Sequence, residues 1–171
     1  KKTFGYVYGA QLRVVTVGFN YRMTKPQLAV GLTQLRKARR IIALRLDRFQ
    51  HMHELLKPVT ELIPPADIDL EHACHLYIVR LDTDRVRFTR DALRAELKDT
   101  FGVHTAHHYP AVWDWEVFRQ LDHDRTDCPV AEKACRQAIT LPIFPNTPFA
   151  DLEYIRTALV AAIANLKQKS A

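Results

Sequence analysis

The sequence has few of the residues that several catalytic sites require. Its only serine is Ser170, close to the C-terminal residue, so a serine nucleophile has little support. Its five glycines follow no phosphate-loop pattern. The cysteines, Cys74, Cys128 and Cys135, are odd in number and lack CxxC spacing, which favours free thiols in a reducing compartment. These absences argue against a serine hydrolase, a P-loop nucleotide site and a disulfide scaffold.

Long apolar segments are also missing. No hydrophobic run approaches the roughly 20 residues that a membrane-spanning helix needs, and the N-terminal KKTFGYVYGAQLR lacks the apolar centre of a signal peptide. With 171 residues, 47% of them hydrophobic and 26% charged, the composition is that of one globular domain with a sizeable core. We therefore expect a soluble, cytoplasmic protein with no membrane partner.

Acidic residues are scarce in the first third of the chain. Residues 1–53 hold eleven of the 25 Lys and Arg residues but only one of the 19 acidic residues, Asp47. Such a segment favours an anionic neighbour, either nucleic acid, a phosphorylated ligand or an acidic protein surface, and a solvated helix face explains it equally well. Phe49 is the one Phe, Tyr or Trp residue on the predicted helix, so aromatic residues do not alternate with the basic ones and a nucleic-acid partner is not favoured.

A long amphipathic helix is predicted over residues 24–53. The TKPQ stretch has the form of a capping box, in which Thr24 accepts from the backbone N–H of Gln27 and Gln27 reaches back to Thr24. A helix this long often bridges two bodies, since the mean helix has about 11 residues. Its apolar stripe lies mostly apart from its basic residues and consists of Leu28, Leu32, Leu35, Ile42, Leu46 and Phe49.

The remaining pattern predicts an α+β fold, with a small sheet and helices packed on it. HLYIVRL (75–81) predicts a strand covered on both faces, VHTAHHY (103–109) a second strand, and ITLPI (139–143) a short extended segment. Helices are predicted over residues 88–100, stopped by Gly102, and over 128–138. A C-terminal helix is predicted with Thr147 as N-cap and Pro148 as its first residue. Its apolar stripe is Phe149, Leu152, Ile155, Leu159, Ile163 and Leu166.

Eight histidines invite a metal hypothesis that their spacing does not support. They include two groups, His72 and His75 around Cys74, and His104, His107 and His108. A zinc site needs three or four convergent ligands, whereas His107 and His108 on a strand would point to opposite faces. We therefore predict no metal site.

AHHYP (106–110) offers a candidate ligand contact. Pro110 keeps Tyr109 extended, so His108 and Tyr109 would end the second strand with fixed directions. Strand ends commonly present side chains to a ligand. A histidine and a tyrosine with internal hydrogen bonds at the rim of a sheet explain the same pattern, and on the residues alone this explanation is favoured.

GFNYRM (18–23) is the second candidate. Asn20 offers an amide donor and Arg22 a bidentate cation, and the free N–H groups of the helix after Thr24 lie next in the sequence. Together they could bind an anion. A loop that uses Asn20 for a turn and Arg22 for a salt bridge is an equal alternative.

Four stretches of the sequence follow the order of motifs known in one enzyme family. They are VGFNYRMTKPQLAVGLTQL, HACHLYIVRLD, FGVHTAHHYPAV and CPVAEKACRQAITLPIFPNT. With them the chain resembles the DegT-like (DegT/StrS-type) sugar aminotransferases, pyridoxal 5'-phosphate (PLP) enzymes of the aspartate-aminotransferase fold. In the third stretch Pro110 follows Tyr109 one residue earlier than in the family pattern.

The resemblance implies which part of such an enzyme the chain represents. Residues 1–23 would be the end of the large PLP-binding domain, and residues 24–53 the long helix that links the domains. Residues 54–171 would be the small C-terminal domain, an antiparallel sheet packed by helices. The chain would thus be the C-terminal part of the aspartate-aminotransferase-like fold.

The resemblance also implies a function and site residues. The enzyme would form a homodimer in which Asn20 donates to the PLP phosphate held by the other subunit. Arg22 would support this loop or lie near the anionic substrate, and His108 and Tyr109 would lie on the sugar side of the pocket. The reaction would transfer an amino group from glutamate or glutamine to a keto sugar, nucleotide-linked, as in polysaccharide or antibiotic sugar biosynthesis. Related acceptors include aminocyclitols.

One departure from the family concerns the lysine that anchors PLP. None of the nine lysines lies in the family's Ser-x-x-x-x-K context, so the sequence contains no catalytic residue and should not transaminate alone. A fragment, a split subunit and a degenerate, non-catalytic interaction domain all fit. The long helix should then expose apolar surface, and the isolated chain should associate.

Overall fold

The structure is a computed structural model that describes residues 21–66, 72–120 and 128–170. The chain divides into two compact units, Lys1–Arg39 and Arg40–Ala171, and the boundary falls inside the first helix. The helices are α1 (Lys25–Leu56), α2 (Arg90–Phe101), α3 (Glu116–Arg119), α4 (Pro129–Gln137) and α5 (Phe149–Lys169), with a 3₁₀ turn at Val112–Asp114. The strands are β1 (Leu62–Ile63), β2 (Tyr77–Leu81) and β3 (Ala138–Leu141). The predicted α+β class is confirmed.

The three strands form one antiparallel sheet in the order β1-β2-β3. On β2, Tyr77, Val79 and Leu81 are buried, whereas Ile78 and Arg80 are half-buried. The strand is therefore covered fully on one face and partly on the other, since successive side chains of a strand point to opposite faces. The prediction of a strand covered on both faces is thus confirmed for one face and only in part for the other.

The second predicted strand, residues 103–109, is wrong as a strand. It pairs with the sheet through one isolated bridge, Ala106 with Thr140. On one side of this bridge the Thr105 carbonyl accepts from the side chain of Arg94, and on the other the imidazole of His107 contacts the Cys135 carbonyl. These contacts are made by side chains and not by a neighbouring strand, so the pairing does not continue beyond the bridge.

Local sequence signals account for both ends of α2, but only in part for the first turn of α1 and not for the start of α5. Thr89 caps α2 by accepting from the Ala92 N–H at 3.2 Å, and Gly102 ends the helix with a φ of 65°, a left-handed conformation that glycine adopts easily. At α1 the Thr24 N–H donates to Gln27 Oε1 at 2.8 Å, as predicted, but the Thr24 hydroxyl donates to that same oxygen.

The N-cap of α5 is Pro148 and not Thr147, because the helix begins at Phe149. The hydroxyl of Thr147 instead accepts from the N–H of Phe144 at 2.8 Å, closing the turn before the helix. The apolar stripe of α5 is otherwise as predicted, except that Phe149 is 39% exposed. Its buried members are Leu152, Ile155, Leu159, Ile163 and Leu166.

The core of the second unit lies between the sheet and helices α2 and α5, and the last turns of α1 add Phe49, Met52 and Leu56. The first turns of α1, in the first unit, are different. Their stripe residues Leu28, Leu32 and Leu35 are 53%, 52% and 72% exposed. None of the helices within the described residues is long and apolar enough to cross a membrane.

Candidate functional site

Arg22 belongs to the first unit and lies at the approach to α1. Its side chain is exposed, next to Tyr21, which has a positive φ of 53°. An open hollow of about 720 Å³ is lined by Tyr21, Arg22, Met23, Pro26, Gln27, Val30 and Gly31. The first turn of α1 contains no acidic residue. Asn20, the other predicted ligand in this segment, lies outside the described residues.

The charged side chains of residues 21–28 are all basic. The N-terminal end of a helix carries partial positive charge from N–H groups that lack helical partners. Here Lys25 lies in the same turn and Arg22 just before it, and neither is offset by an acidic residue of that turn. A doubly charged phosphate fits such surroundings.

His108 and Tyr109 belong to the second unit, where the chain leaves the edge of the sheet. The His108 Nδ1 lies 3.0 Å from the hydroxyl oxygen of Thr140 on β3. The Tyr109 ring packs edge-on against the His108 ring, with centroids 5.0 Å apart, and is 60% exposed. The rim therefore presents an exposed tyrosine beside a half-buried imidazole that the sheet anchors.

His107 faces a different element from His108. Its Nε2 lies 3.0 Å from the carbonyl oxygen of Cys135 near the end of α4. Burial lowers the pKa of His107, and Arg90 and Arg94 lower it further. Because a carbonyl oxygen can only accept, a neutral His107 carries its proton on Nε2.

His107 and His108 point toward different elements, so the two rings do not converge on a common point where they could bind one metal ion. His107 is bonded toward α4 and His108 toward β3. No group of three or more potential metal ligands occurs within residues 21–66, 72–120 and 128–170.

Sequence reasoning missed the residues that support this rim. Arg94 donates to the carbonyl and hydroxyl oxygens of Thr105, and Arg90 donates to the Cys135 carbonyl at 3.3 Å. Thr140 is 5% exposed. Its position as a polar residue within the apolar ITLPI segment is the one signal that could have identified it.

The sequence of the chain matches the model of a known protein family. Residues 2–160, most of the chain, match the model of the DegT/DnrJ/EryC1/StrS aminotransferase family. The expectations drawn from the four motifs therefore concern the right family.

Solved structures of similar fold come from several bacteria. PseC of Helicobacter pylori, an aminotransferase involved in the biosynthesis of pseudoaminic acid, is 23% identical with a TM-score of 0.75, and the match covers 90% of this chain and 41% of PseC. The apo form of Spr1654 of Streptococcus pneumoniae, a putative sugar aminotransferase, is 22% identical with a TM-score of 0.79, covering 92% and 39%. DesV of S. venezuelae is 26% identical with a TM-score of 0.73, covering 91% and 41%. The chain thus spans about two fifths of these proteins.

Proposed function

The chain belongs to the DegT/DnrJ/EryC1/StrS aminotransferase family, and from this premise we propose that it is the C-terminal part of a PLP-dependent sugar aminotransferase. The family match over residues 2–160 is the observation that carries the proposal. The acceptor would be a keto sugar, nucleotide-linked, and the amino donor glutamate or glutamine. The function would be exercised by a homodimer.

We assign the domains as the family resemblance suggests. Residues 1–23 end the large domain, residues 24–53 link the domains, and residues 54–171 form the small domain. The division of the chain between residues 39 and 40, inside α1, supports a linking role for this helix, because α1 contributes residues to both units.

The residue that would hold the PLP phosphate is Asn20, and Arg22 would support its loop or lie near the anionic substrate. The surroundings of Arg22 fit a phosphate dianion, since the first turn of α1 lacks acidic residues and the hollow beside it is open. The amide of Asn20 would donate to the PLP phosphate held by the partner subunit, and the guanidinium of Arg22 would face the anionic substrate. When bound, PLP supplies an electron sink for the carbon that exchanges the amino group.

His108 and Tyr109 would contact the sugar. The Tyr109 side chain is 60% exposed and therefore available to a ligand, and the Thr140 hydroxyl oxygen, 3.0 Å away, orients the His108 ring. Hydrogen bonds from an imidazole and a phenol suit the many oxygens of a sugar. The base that moves the proton during transfer would be a lysine outside these 171 residues, because no lysine here lies in the family's context.

Complementation tests this proposal. The chain is co-expressed with the lysine-bearing N-terminal part of a family member, purified with PLP, and assayed with glutamate and a nucleotide-linked keto sugar. We expect a complex with the visible absorbance of bound PLP and measurable amino transfer. Asn20→Ala should weaken PLP retention about tenfold or more, the loss of a hydrogen bond to a charged group, while Asn165→Ala, in α5, should not.

A non-catalytic interaction domain is the second candidate, favoured by the absent lysine context. It predicts stable association with the N-terminal part but no PLP absorbance and no amino transfer at saturating PLP. That result would refute the enzyme proposal.

A further inference from the structure

We propose that Thr140 holds the neutral imidazole of His108 in the tautomer that carries its proton on Nε2. In this tautomer the Nε2–H of His108 can donate a hydrogen bond to an acceptor oxygen of a ligand. Thr140 would then be a positioning residue for the sugar side of the pocket. This second part of the inference rests on the proposed function.

The position of Thr140 is set by the backbone. Its N–H donates to the Ala106 carbonyl oxygen at 2.8 Å, and its carbonyl oxygen accepts from the Ala106 N–H at 3.0 Å. On its other side it lies opposite Ile78 on the central strand β2. Both backbone groups are therefore committed, and the residue is 5% exposed.

The remaining polar group of Thr140 is its side-chain hydroxyl. Within the described residues its only hydrogen-bond partner is His108 Nδ1, at 3.0 Å. A buried hydroxyl hydrogen left without an acceptor is costly, whereas an unused oxygen lone pair costs less. The hydroxyl therefore donates, Nδ1 accepts with its lone pair, and the proton of the neutral ring is on Nε2.

The consequence is chemical. With Nδ1 occupied as an acceptor, the neutral ring offers a ligand only the Nε2–H donor. A substrate oxygen that accepts, such as a carbonyl, ring or phosphate oxygen, matches this donor. His108 in this form cannot take a proton from the substrate through Nε2, so it binds and orients without acting as a base.

Nuclear magnetic resonance tests the tautomer directly. Long-range proton–nitrogen correlations of the ¹⁵N-histidine-labelled chain, at a pH where the rings are neutral, report which nitrogen carries the proton. His108→Gln and His107→Gln assign the signals. We expect the Nε2–H form for His108 in the wild type, and an Nδ1–H form would overturn the proposal.

Thr140→Val keeps the shape of the residue and removes the donor, whereas Thr140→Ser keeps the donor. We expect the ratio of the Nε2–H to the Nδ1–H form of His108 to fall about fivefold in T140V, as for one lost hydrogen bond, and to recover in T140S. His107, anchored by the Cys135 carbonyl, is the internal control and should stay Nε2–H in every variant. An unchanged His108 ratio in folded T140V would refute the role of Thr140.

The two proposals fail separately. The tautomer is measured without PLP, sugar or the N-terminal part, so a negative result leaves the aminotransferase proposal intact. In the complemented enzyme, T140V should raise KM for the keto sugar several-fold with little change in kcat, and T140S should restore it. If T140V does not fold, the wild-type tautomer still decides the proposal. A confirmed tautomer in a complex without activity would refute the aminotransferase proposal alone.

Discussion

Arg94 on α2 holds Thr105 by two hydrogen bonds, from Nη2 to the carbonyl oxygen at 3.2 Å and from Nε to the hydroxyl oxygen at 3.3 Å. Thr105 directly precedes the segment that carries His108 and Tyr109. The contact therefore ties the rim of the second unit to a core helix, through a fork of donors that only arginine provides.

Arg94→Lys should lower the free energy of unfolding by about 1 kcal/mol, because a lysine cannot reproduce both bonds and a part-buried carbonyl loses its donor. Urea denaturation followed by circular dichroism measures this. Arg136→Lys is the matched control, since Arg136 is 74% exposed and its ion pair among the described residues is with Glu132 on its own helix. Equal effects of the two variants would show that the Thr105 contact adds nothing.

Glu96 should make stability depend on pH in the acidic range. Lys169 and Asn165 hold its carboxylate by hydrogen bonds of 2.8 and 2.9 Å and lower its pKa from the usual 4.5. The folded state thus binds fewer protons than the unfolded state, so this stabilisation is present above pH 4.5 and is lost as the pH falls through the lowered pKa.

The variant Glu96→Gln isolates this contribution. It should be about 0.5 kcal/mol less stable than the wild type at pH 7 and should equal it at strongly acidic pH. Urea denaturation at a series of pH values is the measurement, with Glu132→Gln, on the exposed pair with Arg136, as the control. A stability difference that stays constant with pH would contradict the assigned cause.

Tyr77→Phe should leave the unfolding free energy unchanged or raise it by up to about 1 kcal/mol. The Tyr77 ring packs against Phe49 with centroids 4.9 Å apart, but within the described residues its buried hydroxyl has no hydrogen-bond partner. Tyr154→Phe is the opposite case, because its hydroxyl donates to the Phe101 carbonyl at 2.8 Å, and it should cost about 1 kcal/mol. A loss in Y77F as large as in Y154F would reveal an unrecognised partner of Tyr77.

The buried hydroxyl of Tyr77 should also make the stability of the protein depend on pH in the alkaline range. Burial raises its pKa above the usual 10.0, so the unfolded state loses this proton first and stability falls as the pH rises above that value. Thermal denaturation between pH 8 and about pH 11 should show a shallower decline for Y77F than for the wild type.

Leu35→Glu should reduce self-association of the isolated chain. Leu35 is 72% exposed in a stripe with Leu28 and Leu32, and exposed apolar stripes promote association. Light scattering coupled to size exclusion should show the wild type associating and the variant shifted toward monomer. Gln34→Glu adds the same charge beside the stripe and should have little effect. A monodisperse wild-type monomer would contradict this prediction and would weaken the case for a missing N-terminal part.

Signals contained within a few residues were sufficient for much of the fold. Gly102 was identified as the end of α2, because a left-handed residue is a local requirement that glycine meets. The stripe of α5 followed from helical periodicity, although Phe149 at its first turn is only partly covered. The predicted N-cap, Thr147, is one residue too early. Its hydroxyl could cap α5 or close the preceding turn, and it accepts from the Phe144 N–H in that turn.

Contacts between distant residues escaped prediction for the opposite reason. The failed strand at 103–109 depends on Arg94 from a different helix, and the contact of His108 with Thr140 joins residues 32 positions apart. In the candidate site, the sequence singled out His108 and Tyr109 but not the threonine that orients the imidazole. Nothing in the local pattern shows which neighbour a side chain will meet.

For this protein, the sequence by itself determined helices α1, α2, α4 and α5, the α+β class and the family, because capping, periodicity and ordered motifs depend on neighbours along the chain. Only the tertiary structure decided that residues 103–109 form a single bridge, that His107 and His108 diverge, and that Thr140 anchors His108. The physical reason is that a hydrogen bond between distant segments exists only once packing has brought donor and acceptor within about 3 Å and excluded water from them.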